Sequence, residues 1–210
     1  MLWYPVLITV LTAYLLGNLN GSVCISQIVA HEDVRSHGSG NAGLTNFFRT
    51  YGSWSTLLVL AVDAGKTVLG CLVGGLILEP FGYGTEGTML GAVAVSLGHD
   101  FPALLGFKGG KGIVCGLAVA VVLDWRIALV ILGVFVVVFA ITRYVSLGSV
   151  LASLTFAVGF AVLHYDNVWI MVGGIFLGLL AVFMHRGNIK RLLKGTEKKV
   201  HLIHREKNKE

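Results

Sequence analysis

The sequence predicts an all-α integral membrane protein with about seven transmembrane helices, its N-terminus outside and its C-terminus in the cytoplasm. Three observations favour this class. Hydrophobic residues make up 55% of the 210-residue chain and charged residues only 13%, well below the roughly 25% of a typical soluble domain. The apolar residues form long runs. The Lys and Arg residues are concentrated in alternate connections between those runs, as they are in membrane proteins.

Each apolar run approaches the length of a membrane crossing, which takes about 20 residues for ~30 Å of hydrocarbon. The third and fourth runs are the least regular, because polar residues intrude near His99 and the fourth run is short. The predicted spans are residues 3–29, 54–78, 87–105, 112–124, 126–142, 148–164 and 167–184.

The distribution of positive charge predicts the orientation. Seven spans leave one set of connections, residues 30–53, 99–112, 143–147 and 185–210, which together with Lys66 holds every Lys and Arg except Arg126. The positive-inside rule places this set in the cytoplasm. The net charge of +5 is therefore a topology signal, and no nucleic-acid partner is expected. We expect residues 1–197 to form one polytopic domain and residues 198–210 a charged tail.

The first cytoplasmic connection has the composition of a phosphate-binding loop. Its glycines let backbone N–H groups crowd around an anion, its hydroxyls add donors, and its arginines supply bidentate charge. A flexible interfacial loop rich in turn-forming residues is the alternative. The candidate site residues here are Ser39, Gly40, Asn41, Gly43, Thr45, Asn46 and Arg49.

The second connection places two lysines at the predicted start of a helix, where free N–H groups attract anions. It is not a Walker A loop, because position 105 is Leu and Gly112 stands where Ser or Thr would hold magnesium. Plain anchoring by positive charge is the alternative. The candidates are Lys108, Gly109, Gly110, Lys111 and Gly112.

Three further polar groups adjoin apolar spans. If the last span continues as a helix, His185 and Asn188 share a face, although a basic juxtamembrane helix that binds anionic lipid has the same composition. Ser146 follows Arg143 in the fourth polar group on this side. Asp63 and Lys66 lie three residues apart inside a span, which makes them a functional or a structural pair. Because the loop groups fall on one side of the membrane, we expect a single cytoplasmic site for a phosphate-bearing molecule, with an apolar partner entering from the bilayer.

Three long motifs in this order resemble the signature motifs of the PlsY family of bacterial acyl-phosphate:glycerol-3-phosphate acyltransferases. They begin at Ser39-Gly40-Asn41, at Gly98-His99 and at His185, and the similarity covers nearly the whole chain. Two departures, Val114-Cys115 after the glycine loop and Gly65-Lys66-Thr67 in the second span, put local helix packing in doubt rather than the activity.

The resemblance implies transfer of a fatty acyl group from acyl phosphate to the sn-1 hydroxyl of glycerol 3-phosphate, giving lysophosphatidic acid and inorganic phosphate. This is the first step of phospholipid synthesis, in the bacterial inner membrane, with no metal or other cofactor. It implies that Ser39, Arg49, Lys108 and Lys111 hold phosphates, with Ser146 as a further donor, and that His185 and Asn188 orient the hydroxyl. The proton acceptor, either His185 or His99 or a substrate phosphate, stays open, as does the oligomeric state, for which a monomer suffices.

Other classes remain as alternatives at this point. An organic-phosphate transporter would also use buried basic residues and broken helices, but such transporters usually show repeated halves, and no repeat is evident. A phosphatidyltransferase would need more carboxylates for metal than the loops provide. A lipid-binding protein without activity would not need Ser39 or Asn188.

Overall fold

A computed structural model describes residues 2–52 and 54–200 of the protein. The described residues form an all-helical bundle, as the sequence predicts. Its α-helices are α1 (Trp3–Gly17), α2 (Gly21–Ala30), α3 (Leu44–Tyr51), α4 (Trp54–Leu78), α5 (Gly84–Asp100), α6 (Ile113–Leu123), α7 (Trp125–Thr142), α8 (Val145–Leu163), α9 (Val168–Met184) and α10 (Arg186–Leu193). Most of the tail, residues 201–210, lies outside the described part of the chain.

The predicted number of spans is not confirmed. Among the described residues five helical stretches are long and apolar enough to cross a membrane, and six if the bent pair α9 and α10 is one span. Helices lie at all seven predicted positions, but α6 has only 11 residues. At ~1.5 Å per residue this helix is about half as long as the ~30 Å hydrocarbon core. The span count and the orientation of the termini stay predictions.

The first predicted span is broken between α1 and α2. The side chain of Asn20 caps α2 by accepting a hydrogen bond from the Val23 N–H (3.1 Å) and donates to the carbonyl of Ala42 (3.0 Å). The break leaves the carbonyls of Gly17 and Leu19 without helical partners, and the ammonium of Lys66 on α4 donates to both. A polar residue inside an apolar span thus satisfies the interrupted backbone.

Small residues bring the central helices together. A side-chain carbon added to Gly74 on α4 would collide with the backbone of Gly87 on α5, and one added to Gly91 would collide with Gly70. This close approach is the usual mode of helix packing in membranes. A larger apolar cluster, centred on Phe156 and Phe160, joins α4, α5 and α6 to the α7–α9 group, and a smaller one buries Phe47 of α3 against α2 and α4.

Candidate active site

The first polar connection is folded around Asn46. This residue is 5% exposed. Its Nδ2 donates to the carbonyls of Val34 (3.1 Å), His37 (3.0 Å) and Asn41 (3.1 Å), and its Oδ1 accepts from the Ser39 N–H (2.9 Å). Because its amide is fully engaged by the backbone, the geometry gives Asn46 the task of shaping the loop, where the sequence suggested substrate binding.

The first and second polar connections each expose predicted site residues to water. Ser39, Gly40 and Lys108 are exposed, and Gly40 and Lys108 line a shared surface pocket. Arg35 joins the two loops, since its Nη1 donates to the carbonyls of Leu105 (2.9 Å) and Lys108 (3.2 Å). The first and second polar connections, distant in the sequence, therefore meet.

The remaining candidates of the first connection lie around the start of α3. Gly43 precedes the helix, its carbonyl accepts from the Phe47 N–H (3.1 Å), and Thr45 lies in the first turn. Asn41 supplies a carbonyl to Asn46. These residues are half-buried at the base of the loop, so their backbone holds the loop in shape.

The glycines of the second connection pack tightly against α5. Any side chain on Gly109 would collide with the carbonyl of His99, and one on Gly110 with its imidazole ring. The Gly110 N–H donates to the same carbonyl (3.0 Å). Gly112 has a φ of +71° and begins α6, a conformation that other residues rarely adopt. These glycines fix the path of the loop, and their contact with phosphate stays a prediction.

Lys111 reaches across to the third polar segment. Its ammonium donates to Oδ1 of Asn188 on α10, and Nδ2 of Asn188 donates to Glu197 (2.7 Å). Glu197 also accepts from Nε of Arg191 (2.6 Å). Asn188 and Arg191 thus share a face of α10, and α10 is bent 55° away from α9, so the last span does not continue as one straight helix through His185 and Asn188. The bend turns this face across the end of the bundle.

Arg49 and Arg191 add two more positive charges beside Lys111 and Asn188. We call these four residues the anion cluster, because their side chains would bind an anion. Arg49 donates to the carbonyl of Lys198 (3.4 Å), the neighbour of Glu197. Burial lowers the pKa of Lys111 to about 8, and repulsion from Arg191 and Arg49 adds to the effect against the attraction of Glu197. Like charges held this close favour a bound anion.

Glu197 partly neutralises this cluster. Burial alone would raise its pKa, but the hydrogen bond from Asn188 and the Arg191 guanidinium lower it. The residues that follow continue along the site, since the Val200 N–H donates to the carbonyl of Arg143 (3.0 Å). The C-terminal segment therefore holds part of the site.

His185 and Ser146 lie beside the anion cluster. His185 is 4% exposed, and its Nδ1 lies 2.8 Å from the carbonyl of Ala181. Because a carbonyl only accepts, Nδ1 carries a proton. Burial lowers the pKa of His185 to about 4, so the ring is neutral near pH 7 and Nε2 keeps a free lone pair. Ser146 is buried, and its Oγ has no hydrogen-bond partner among the described residues. Both groups are available to a ligand.

An apolar groove opens at this site. It runs between α4–α6 and α7–α9, and its walls include Leu60, Leu117, Ile131, Phe135, Phe156 and Leu177. Gly112 and Ala181 line it as well. Gly112 follows Lys111 and Ala181 accepts from His185, so the groove reaches the anion cluster. It can hold an alkyl chain whose polar head meets the cations.

Sequence reasoning missed part of this arrangement. Arg191 and Glu197 were not among the predicted site residues, although their spacing from Asn188 along a helix is a signal that could have found them. The groove has no such signal, because its walls come from seven helices, α3 to α9. Within residues 2–52 and 54–200, no group of three or more His, Cys, Asp or Glu side chains is arranged to hold a metal ion.

The fold and the site together define a class: a multi-pass membrane protein that gathers cations, an amide and a histidine at the mouth of an apolar groove. Comparison with known proteins specifies it further. Residues 7–195 match the family described as Glycerol-3-phosphate acyltransferase. The chain belongs to this family and is an acyltransferase.

Individual relatives agree with this assignment. The glycerol-3-phosphate acyltransferase of Thermoanaerobacter sp. (strain X514) is 39% identical over 197 residues, covering 94% of this chain and 96% of the relative. That of Clostridioides difficile (strain 630) is 37% identical over 198 residues, with the same coverage. The crystal structure of PlsY, an integral membrane glycerol 3-phosphate acyltransferase, in its glycerol 3-phosphate form has a TM-score of 0.81 and 33% identity, covering 93% of this chain and 96% of that one. Its lysophosphatidic acid form has a TM-score of 0.77 and 32% identity, covering 93% and 95%.

Proposed function

We propose that the protein transfers a fatty acyl group from acyl phosphate to the sn-1 hydroxyl of glycerol 3-phosphate at the cytoplasmic face of a bacterial inner membrane. The products are lysophosphatidic acid and inorganic phosphate. The observation that carries the proposal is the meeting of the apolar groove with the anion cluster at Gly112 and Lys111. One substrate has an alkyl chain, and both have phosphate. PlsY has been solved in a glycerol 3-phosphate form and in a lysophosphatidic acid form, an acceptor and a product of this chemistry.

The exposure of the site residues divides the site between the two substrates. Ser39 and Lys108 are exposed and lie outside the anion cluster, so they receive glycerol 3-phosphate from water, whereas Arg49 belongs to the cluster and faces the leaving phosphate. His185 and Asn188 are buried and Lys111 is half-buried near the groove, so this part of the site receives the head of the acyl phosphate. Ser146, with its unpartnered hydroxyl, donates to a phosphate oxygen.

The reaction needs positioning and charge stabilisation. The glycerol hydroxyl oxygen attacks the acyl carbonyl carbon from about 3–3.5 Å. The bond from that carbon to the phosphate oxygen breaks, and the phosphate leaves with the electron pair. Lys111 and Arg49 stabilise the charge that develops on it. His185, through the free Nε2, and Asn188 orient the hydroxyl, and an oxygen of a substrate phosphate takes its proton.

An assay of phosphate release tests the proposal. Purified protein in detergent or lipid mesophase receives palmitoyl phosphate with and without glycerol 3-phosphate. We expect release that depends on the acceptor and equals the lysophosphatidic acid formed. Acceptor-independent release, or none from folded protein, would contradict the proposal.

A pair of lysine variants tests the assignment of the exposed half. Lys108→Ala should nearly abolish turnover at low glycerol 3-phosphate and recover partly when the acceptor is raised, because Lys108 binds that substrate. Lys190→Ala is the matched control, since Lys190 is an exposed lysine on α10 outside the proposed site. Equal rates for the two variants would refute this division of the site.

A further inference from the structure

Three ionisable side chains inside the bundle play no part in the reaction described above. Asp63 and Lys66 lie on α4 and His99 on α5, and their side chains are 2%, 3% and 5% exposed. Burying such groups in a membrane domain is costly unless they are paired and hydrogen-bonded. We call these three residues the buried network.

Lys66 is the centre of the buried network. Its ammonium lies 2.8 Å from Oδ1 of Asp63 and 2.8 Å from Nδ1 of His99. An ammonium only donates, so Nδ1 of His99 accepts and the ring is held in one tautomer and one orientation. Lys66 also donates to the carbonyl of Leu19 (2.6 Å), and Asp63 accepts from the Gly21 N–H (3.0 Å). The network therefore ties the break between α1 and α2 to His99.

His99 in turn contacts the glycine loop at three points. Its carbonyl accepts from the Gly110 N–H (3.0 Å). Its ring lies where a side chain of Gly110 would be, and its carbonyl lies where one of Gly109 would be. The residue after Gly110 is Lys111, whose ammonium donates to Oδ1 of Asn188. One peptide bond therefore separates Gly110, which packs against His99, from the site residue Lys111.

We propose that Asp63 and Lys66 are positioning residues, which fix the His99 ring so that the glycine loop presents Lys111 to Asn188 and to the substrate phosphate. They do not touch substrate. The inference rests on the place of Lys111 in the proposed function. A role confined to bracing the helix break would affect folding, whereas positioning of Lys111 affects kinetics.

The first test removes both buried charges together, as Asp63→Asn with Lys66→Met, so that neither is left unpaired. We expect kcat/KM to fall about 10- to 100-fold in protein that still unfolds cooperatively, because displacements near 1 Å at a reacting centre cost up to about 100-fold. Wild-type kcat/KM in this folded double variant would overturn the inference.

A double-mutant cycle with Lys111→Ala separates positioning from bracing. If the network acts through Lys111, removing it in the Lys111→Ala background should lower kcat/KM by less than about threefold further. Losses that multiply would overturn the inference. A wild-type kcat/KM for Lys111→Ala alone would overturn both the site assignment and the inference. A low kcat/KM for Lys111→Ala together with a wild-type kcat/KM for the Asp63→Asn, Lys66→Met variant would overturn the inference alone.

Gly110→Ala probes the same contact without touching the buried charges, in case the double variant does not fold. Its methyl group must displace the loop or the His99 ring. We expect a kcat/KM loss of about 10-fold or more in protein that still unfolds cooperatively, and little further loss when Lys111 is also Ala. Unchanged kinetics, or a full additional loss in the Lys111→Ala background, would overturn the inference. Gly133→Ala on α7, where an added carbon meets nothing within 4 Å, is the matched control.

Discussion

Charged side chains are paired differently at the two ends of the helix bundle. At the end away from the site, Asp124 caps α7 and pairs with Arg126 (2.6 Å) and His164 (3.2 Å). At the site end Asp33 likewise pairs with Arg35 (2.7 Å), but the anion cluster gathers Arg49, Lys111 and Arg191 near Glu197. Charges that are matched by their neighbours serve the fold, and an excess of cations is left for an anionic substrate. The comparison teaches that local charge balance, more than the presence of charged residues, distinguishes the site.

The largest expected effect comes from removing an exposed cation at the site end. Arg49→Ala should lower kcat/KM by about 100- to 1,000-fold, the usual cost of losing one donor to a developing anion. Steady-state phosphate release measures it. The matched variant at the other end is Arg126→Ala, which should retain kcat/KM within about twofold. Similar losses in both variants would erase the contrast between the two ends.

The next effect is a pH dependence that only the site end should show. Because the pKa of Lys111 is lowered to about 8, its charge is present below that pH and lost above it. We expect kcat/KM to fall as pH rises through about 8, since this profile reports groups of the free enzyme. Lys111→Arg keeps its charge at all these pH values, so an identical decline in that variant would show that another group titrates.

A smaller effect, on stability alone, is expected at the opposite end. Asp124→Ala removes the cap that accepts from the Arg126 N–H (3.0 Å) as well as the ion pair with Arg126 and the contact with His164. The free energy of unfolding should fall by about 1 kcal/mol, the typical cost of losing a cap, with kcat/KM retained. Thermal unfolding beside the activity assay checks both parts. A loss of activity without a loss of stability would mean that the two ends communicate.

The smallest effect is expected for Lys198→Ala in the C-terminal segment. Arg49 contacts the backbone carbonyl of Lys198, and the substitution preserves that carbonyl. We expect kcat/KM within about twofold of wild type. A large loss would show that the Lys198 side chain itself belongs to the anion cluster.

Much of the architecture follows from local patterns. Apolar run length predicts the helices at all seven positions, and glycines and basic residues predict the polar connections, because these depend on residues near in sequence. The positions of Lys111 and Asn188 in one site were also predicted. Their direct bond was not, because it depends on the 55° bend before α10.

Other roles required contacts between distant segments. The type and position of Asn46 predict a ligand-binding amide. In the structure, its side-chain amide instead forms hydrogen bonds with three carbonyls and one N–H of its own loop. The charge pattern assigns Lys66 to the cytoplasmic side. In the structure its side chain is only 3% exposed, and its ammonium contacts the His99 ring. Only the partner distinguishes a structural polar residue from a functional one, and the partner lies elsewhere in the chain.

The sequence by itself predicted that the chain is helical and built from apolar membrane-spanning runs, and which segments carry the candidate phosphate-binding groups, since composition and spacing are properties of neighbouring residues. The tertiary structure alone decided that α6 is short, that the groove ends at Lys111, and which polar groups stay free for a ligand. Those features depend on how far apart helices pack and at what angle, which small residues and backbone breaks set only once all the helices are assembled.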